Sequence, residues 1–463
     1  MRYLSTRGGI TPVTFSQAVM MGLADDGGLL LPERIPTLSP SELADLAPLD
    51  YPELAFRIIS LFCDDIPASD LREIITRSYR TFDTPLVTPL VEVDRFLVLE
   101  LFHGPTLAFK DVALQFLGNL FEYLLKREGK HLNIIGATSG DTGSAAIHGV
   151  RGKENIAIFI LHPHQRTSPV QALQMTTVLD DNVHNIAVTG TFDDCQGIVK
   201  GLFGDLEFKE KYRLGAVNSI NWARILAQIV YYFSAWFQCR CRGIDRPVVF
   251  SVPTGNFGDI FAGYIARRMG IPCGPLILGT NENNILTRLV TQGDYSIGDV
   301  VPTISPSMDI QVASNLERYL YYLFDNDPTR LIHRMTRFQE TGRMPITLDE
   351  RERIAGDFRS ASVGRQETIA TIRRIHADTG YLLDPHTAVG VAAAARCAPA
   401  ETTPVCLATA HPAKFGEAVE EAIGSPLTLP PSIVDLMNRP TKCDILPPDR
   451  EKIREYVMKH AIG

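Results

Sequence analysis

A lysine set between an aromatic residue and an acid, in "FHGPTLAFKD" (102 to 111), is the first place where chemistry can be sought. Gly104 frees the backbone and Pro105 fixes φ, so the chain turns sharply and enters a helix near Lys110. An ammonium in a first helical turn lies beside the positive end of the dipole, which favours the neutral amine. That is the nucleophile a Schiff base with a carbonyl compound requires. The bland alternative is an exposed lysine at a helix start.

A second loop, "GATSGDTGSAAIHG" (136 to 149), follows an apolar run with small residues and hydroxyls. Backbone N–H groups and the hydroxyls of Thr138, Ser139 and Thr142 could converge on a carboxylate, with Asp141 or Thr142 capping the next helix. The alternative is a tight turn and nothing more. In a third, "SVPTGNFGDIFAGYIARRMG" (251 to 270), Gly255 and Gly258 bracket a strand-to-helix turn where the backbone could approach a phosphate. It has neither the Gly-Lys-Ser/Thr ending of a P-loop nor the spacing of a dinucleotide fingerprint. Asp259 would need its own donors beside a phosphate and is expected to point away, orienting loop amides.

These loops need a scaffold, and the chain has the pattern for one. From about residue 95, β-branched runs alternate with amphipathic ones, the signature of a parallel sheet with crossover helices. Strands are expected at 95–102, 132–138, 156–163, 183–190, 247–255, 274–281 and 404–410, with helices starting near 110, 142, 257 and 414. Ligands in such sheets bind beyond the carboxyl ends of the strands, where all three loops fall. Residues 1–92 are Pro-rich and read as a small N-terminal domain, 93–130 with 240–463 as a large domain, and 131–239 as a small α/β lobe. Residues 309–380 are expected to be mostly helical, and 424–463 to wrap the surface.

The 463 residues carry a net charge of -8, with 45% hydrophobic and 21% charged residues, as in globular proteins of two or three domains. No clustered basic face suggests nucleic acid, and the longest greasy segment, "WARILAQIVYYFSAWF", is too short and polar to span a membrane. Its N-terminus shows no secretory pattern, and the eight cysteines form no C-x-x-C pair, so a cytoplasmic protein with reduced thiols is expected. Histidines 103, 148, 386 and 411 lie near motif loops without the spacing of a helical metal site, and local hydrogen bonding is expected of them.

A reactive lysine, a carboxylate nest and a phosphate nest on one sheet suit a pyridoxal-phosphate enzyme acting on an amino acid. "HGPTLAFKD", "TSGDTGSAA" and "PTGNFGD" resemble the lysine motif, substrate loop and cofactor-phosphate loop of the threonine synthase family. "YLSTRGG" with "GLADDGGLLLPERIP", and "LLDPHTAVG" with "CLATAHPAKF", resemble the ends of its longer branch. The resemblance implies an α/β fold of type II, two lobes with a cofactor cleft plus the small N-terminal domain. It makes Lys110 the cofactor-bound lysine and acid/base, and places Gly255, Asn256, Phe257, Gly258 and Asp259 around the cofactor phosphate. Thr409 would meet the pyridine nitrogen, and Ser139, Gly140, Asp141 and Thr142 the substrate carboxylate. "NSINWAR" resembles the family's substrate-phosphate grip through Asn218, Ser219 and Arg224. The implied substrate is O-phospho-L-homoserine, with no metal. No heptad or swapped arm is evident, so a monomer or small homo-oligomer is expected. A different pyridoxal-phosphate lyase on the same fold, or a silent homologue serving as a scaffold, are the rival readings.

Overall fold

The computed structural model describes residues 1–463, and the chain folds into two compact units. The first takes Met1–Glu73, Phe82–His103 and Ser219–Leu427, the second Ile74–Thr81, Gly104–Asn218 and Thr428–Gly463.

The first unit is built on a six-stranded sheet ordered Phe358–Ser362, Leu276–Thr280, Val248–Pro253, Thr403–Ala408, Phe96–Glu100 and Leu90–Val93. All neighbours are parallel except Leu90–Val93, which runs antiparallel at the edge. The register sets Cys406 opposite Ser251 and Ala408 opposite Glu100, so the loops at Gly255 and Thr409 leave the sheet at the same end. Val248–Pro253 is buried along its whole length, as a strand covered on both faces must be. The apolar run "WARILAQIVYYFSAWF" lies within the Trp222–Cys241 helix, nearly all of it buried.

The second unit carries a five-stranded parallel sheet ordered Asp444–Leu446, Val183–Val188, Ile156–Pro163, Leu132–Ala137 and Leu214–Gly215. Its helices Lys110–Glu128 and Asp141–Val150 touch backbone to backbone. A Cβ added at Gly118 would stand 1.9 Å from the carbonyl oxygen of Gly149.

Each expected strand is present, trimmed by one to a few residues at some ends. The expected domain limits and the compact units differ in several places, among them residues 428–463, which fall in the second unit. The Lys110–Glu128 helix belongs with 131–218 because of that glycine contact, and Trp222–Cys241 belongs to the first unit, against Gly258–Arg268. The N-terminal segment merges with the first unit through Thr6 and Arg7, whose side chains bond Glu317 at 2.6 and 3.1 Å. Residues 428–463 do more than wrap a surface. They supply an edge strand, and Ile453 and Val457 enter the core of the second unit at 0% exposure. Within 309–380, the strand Phe358–Ser362 interrupts the expected helices. No helix is long and apolar enough to cross a membrane, and all eight cysteines are free.

Candidate active site

In the second unit, Lys110 opens its helix and is 8% exposed. The approach to it is tied by Asp111, whose carboxylate accepts the N–H and hydroxyl of Thr106 at 2.8 and 2.7 Å. Gly104 packs behind so closely that a Cβ there would lie 2.4 Å from Cβ of Asp111, and Leu107 adopts a left-handed φ of 57°. A buried, fully engaged Asp111 therefore fixes the direction in which Lys110 leaves the turn.

Lys110 Nζ lies 3.6 Å from Oδ2 of Asp141, the first residue of the Asp141–Val150 helix. Oδ1 of Asp141 accepts a hydrogen bond from Gln171 Nε2 at 2.7 Å. Capping by Asp141 or Thr142 does not occur. The helix starts without a side-chain cap, and the Thr138 hydroxyl closes the turn by accepting from the amides of Gly140 (3.0 Å) and Gly143 (2.9 Å). Gly140 holds φ 147°, and a Cβ there would meet Gln171 Oε1 at 2.3 Å. Two amides and the Thr138 oxygen thus serve the loop itself. Ser139 stays exposed and Thr142 half-buried, so their hydroxyls are the side-chain donors left for an anion. The Asp141 carboxylate is committed to Lys110 and Gln171, which limits its part in holding a carboxylate to its backbone N–H.

In the first unit, the Gly258–Arg268 helix also starts without a side-chain cap, following Phe257 at φ 63°. An uncapped helix start reached through a left-handed bulky residue is a strained device with free donors, suited to a phosphate. Phe257 itself is buried against Tyr319 and Phe358, with centroids at 6.0 and 5.5 Å, so its ring faces the core. Asp259 also turns away, but toward phenols instead of loop amides: Tyr231 and Tyr232 donate to its Oδ1. Burial raises its pKa to about 6 against the lowering effect of those two bonds. Gly255 needs its hydrogen for packing too, since a Cβ would stand 2.7 Å from the Ser307 carbonyl oxygen. Gly258 is half-buried, and a Cβ there would come within 3.2 Å of Asn315 Nδ2.

Arg224 lies in the first turn of the Trp222–Cys241 helix, 5% exposed, with Nε and Nη1 lacking any partner. Burial pushes its pKa down to about 10. Ser219 Oγ, on the same stretch, is 2.9 Å from Ser314 Oγ, which in turn donates to Asn256 Oδ1 at 3.3 Å. The third member of that motif, Asn218, is the last residue of its segment of the second unit.

Thr409 follows its strand at 6% exposure and donates its N–H to Thr387 Oγ1 at 3.2 Å. Thr387 bonds Asp384, which caps the Pro385–Cys397 helix and holds His386 Nδ1 at 2.9 Å. Ser307 N–H donates to His386 Nε2 at 3.3 Å, closing a path from Thr409 to the Gly255 loop. Sequence reasoning missed Gln171, Ser314 and Asn315 as supports. They sit far along the chain from the loops they hold and carry no motif of their own. The Asp-Pro-His-Thr start at 384–387 was a legible cap signature.

Three family models match the chain: Threonine synthase N terminus over residues 2–79, Pyridoxal-phosphate dependent enzyme over 81–334, and Threonine synthase, C-terminal over 387–457. The threonine synthase of Pseudomonas aeruginosa is 47% identical over 99% of this chain and 98% of its own length. That of Schizosaccharomyces pombe is 48% identical over 91% of this chain and 89% of its own. Among solved structures, PLP bound threonine synthase from Brucella melitensis aligns at TM-score 0.97 and 45% identity, covering 100% of both chains. Yeast threonine synthase aligns at TM-score 0.95 and 43% identity over 99% of this chain and 98% of its own. With full-length relatives at this identity and family models spanning most of its length, the chain belongs to the threonine synthase family of pyridoxal-phosphate-dependent enzymes with fold type II.

Proposed function

We propose that the chain converts O-phospho-L-homoserine and water into L-threonine and phosphate, by γ-elimination followed by β-addition of water, the last step of threonine biosynthesis. The observation that carries the substrate assignment is Arg224, a buried guanidinium with two unpartnered nitrogens beside the Ser219 stretch. A desolvated cation without a partner is costly, and a phosphate dianion is the ligand whose charge and fork geometry offset it.

The residues present also fit pyridoxal 5'-phosphate. The uncapped start of the Gly258–Arg268 helix, with Gly255, Asn256, Phe257, Gly258 and Asp259 contributing mainly backbone, suits its phosphate. Lys110 suits its aldehyde and the Thr409 hydroxyl its ring nitrogen. When bound, the cofactor supplies an electron sink for carbanions on the substrate. A neutral hydroxyl at the ring nitrogen, unlike a carboxylate, does not hold that nitrogen protonated, which makes the sink milder.

Lys110 carries the protons, removing one from Cα of the substrate and then one from Cβ. Asp141, at 3.6 Å and fixed by Gln171, stabilises the ammonium form and so helps Lys110 accept them. Ser139, Gly140 and Thr142 hold the substrate carboxylate with hydroxyl and backbone donors, and Asn218, Ser219 and Arg224 hold the phosphate as it leaves Cγ. The protein works in the cytoplasm, for which its eight unbridged cysteines suit a reducing compartment, as a monomer or small homo-oligomer.

The test is a phosphate-release assay on O-phosphohomoserine with chromatography of the products. Threonine is expected in equal amount with phosphate. Release of 2-oxobutyrate and ammonia would assign a different lyase reaction. Lys110→Ala is expected to abolish turnover and the visible absorbance of lysine-bound cofactor, and retention of either would remove Lys110 from its role.

A further inference from the structure

One guanidinium in the first unit joins three segments. Arg318, on the Leu316–Leu323 helix, is fully buried, and burial pushes its pKa down to about 9. Its Nε and Nη2 donate to the Leu30 carbonyl at 3.1 and 3.0 Å, and Nη2 also reaches the Ile220 carbonyl at 2.6 Å. Nη1 donates to the side-chain oxygen of Asn315. Asn315, also 0% exposed, commits its side-chain N–H groups to the Ser219 carbonyl at 3.2 Å and the Asn256 carbonyl at 3.1 Å. Its backbone N–H adds a third bond, to the Asn256 carbonyl at 3.0 Å. Next to it, the Ser314 hydroxyl bridges Ser219 Oγ and Asn256 Oδ1.

Burying a guanidinium is costly unless its donors are spent well. Here they hold main-chain carbonyls, directly or through Asn315, in two stretches that no helix or strand organises: 218–221 and 254–257. Those stretches are the substrate-phosphate grip and the cofactor-phosphate loop. We propose that Asn315, held by Arg318, is a positioning residue that locks the two phosphate-handling stretches into one frame, and that Ser314 adds a hydroxyl to the row between them. The inference rests on the functional reading above for the identity of the two phosphates. Its chemical content is that both anions are read by one rigid element, so a fault in the element loosens both together.

Asn315→Asp tests this, because it keeps an oxygen toward Arg318 and turns the second position from a donor into an acceptor facing two carbonyls. Losing one bond of about 1 kcal/mol to each stretch predicts roughly fivefold weaker binding of each anion. Two readouts are needed: the dissociation constant of pyridoxal phosphate by equilibrium dialysis, and that of inorganic phosphate for the holoenzyme by calorimetry. Both are expected to rise, with KM for O-phosphohomoserine rising alongside them and kcat staying within about threefold. A change in one constant alone, or in neither, overturns the proposal. Should Asn315→Asp fail to fold, Ser314→Ala at a half-buried position decides its part: inorganic phosphate is expected to bind about fivefold more weakly at an unchanged melting temperature. Unaltered phosphate affinity in that variant would count against it. If the wild-type protein releases no phosphate from O-phosphohomoserine, the functional reading fails, while the two binding constants still judge the frame.

Discussion

At the scale of single residues, three acids in the motif loops have three different tasks, set by what surrounds each. Asp111 ties a turn, Asp141 faces a lysine, and Asp259 is buried under two phenols. From the sequence, Asp111 was legible only as the acid beside Lys110, and Asp259 as a residue turned from the phosphate. Neither set of partners was legible, because Thr106 is a neighbour only once the turn closes and the tyrosines lie on another helix. The Asp259 environment has a measurable consequence. Its pKa, raised to about 6 in the fold from an unfolded value near 4, means the native state binds the proton more tightly between those limits. Stability from this group is therefore full below about pH 4, is lost as pH rises to 6, and stays lost above it, by on the order of 3 kcal/mol. Asp259→Asn keeps an oxygen for both phenols and removes the charge. The variant is expected to melt above the wild type at pH 8, with the gap narrowing as pH falls through 6 to 4. A gap that does not depend on pH would mean that Asp259 is not the group that titrates.

At the scale of elements, the distance between Lys110 and Asp141 is set well away from either residue. Each stands at the first position of a helix, and the two helices meet where Gly118 faces Gly149 and Gly149 faces the Leu114 carbonyl. Backbone contact this close is possible only with glycine on both sides. Gly118→Ala would put a carbon 1.9 Å from a carbonyl oxygen, so one helix must move. Overpacking of this kind costs about 3 kcal/mol, for which a melting temperature lower by roughly 5–10 °C is expected. Cofactor binding is expected to weaken as well, since the shift carries Lys110 with it. A variant that melts with the wild type would show that the helices part freely. The strands were readable because parallel strands covered on both faces are apolar throughout, as in "IAIFILHP" and "PVVFSVP". The glycine contact was not. Gly118 and Gly149 lie inside helical patterns where glycine ordinarily only lowers propensity, and their partnership depends on a tertiary approach.

At the scale of the whole molecule, the chain alternates between its two units, and two of its crossings fall inside the candidate motifs: before Gly104, ahead of Lys110, and between Asn218 and Ser219. The last segment returns to the second unit. There Asp444–Leu446 pairs with Val183–Val188, Ile453 and Val457 fill the core, and Ile462 exchanges hydrogen bonds with the buried Asn133 side chain at 3.0 and 2.8 Å. A strand of three residues is too short to show alternation, so the sequence offered little sign of it. The helix was more legible, with Asp449 as cap and Ile453 and Val457 four apart on one face. If this segment completes the sheet, its loss has a stated effect. Removing residues 441–463 leaves the fully buried strand Val183–Val188 as a bare edge and uncovers the core beneath, so the shortened protein is expected to aggregate on expression. Ile453→Ala separates core loss from edge exposure. It keeps the strand covered, removes buried methyl groups, and is expected to give soluble protein destabilised by about 2–5 kcal/mol in denaturant titration. Soluble, fully stable protein after truncation would make the segment a surface strap, whereas aggregation of the truncated chain with a folded but weakened Ile453→Ala variant assigns it to the second unit's core.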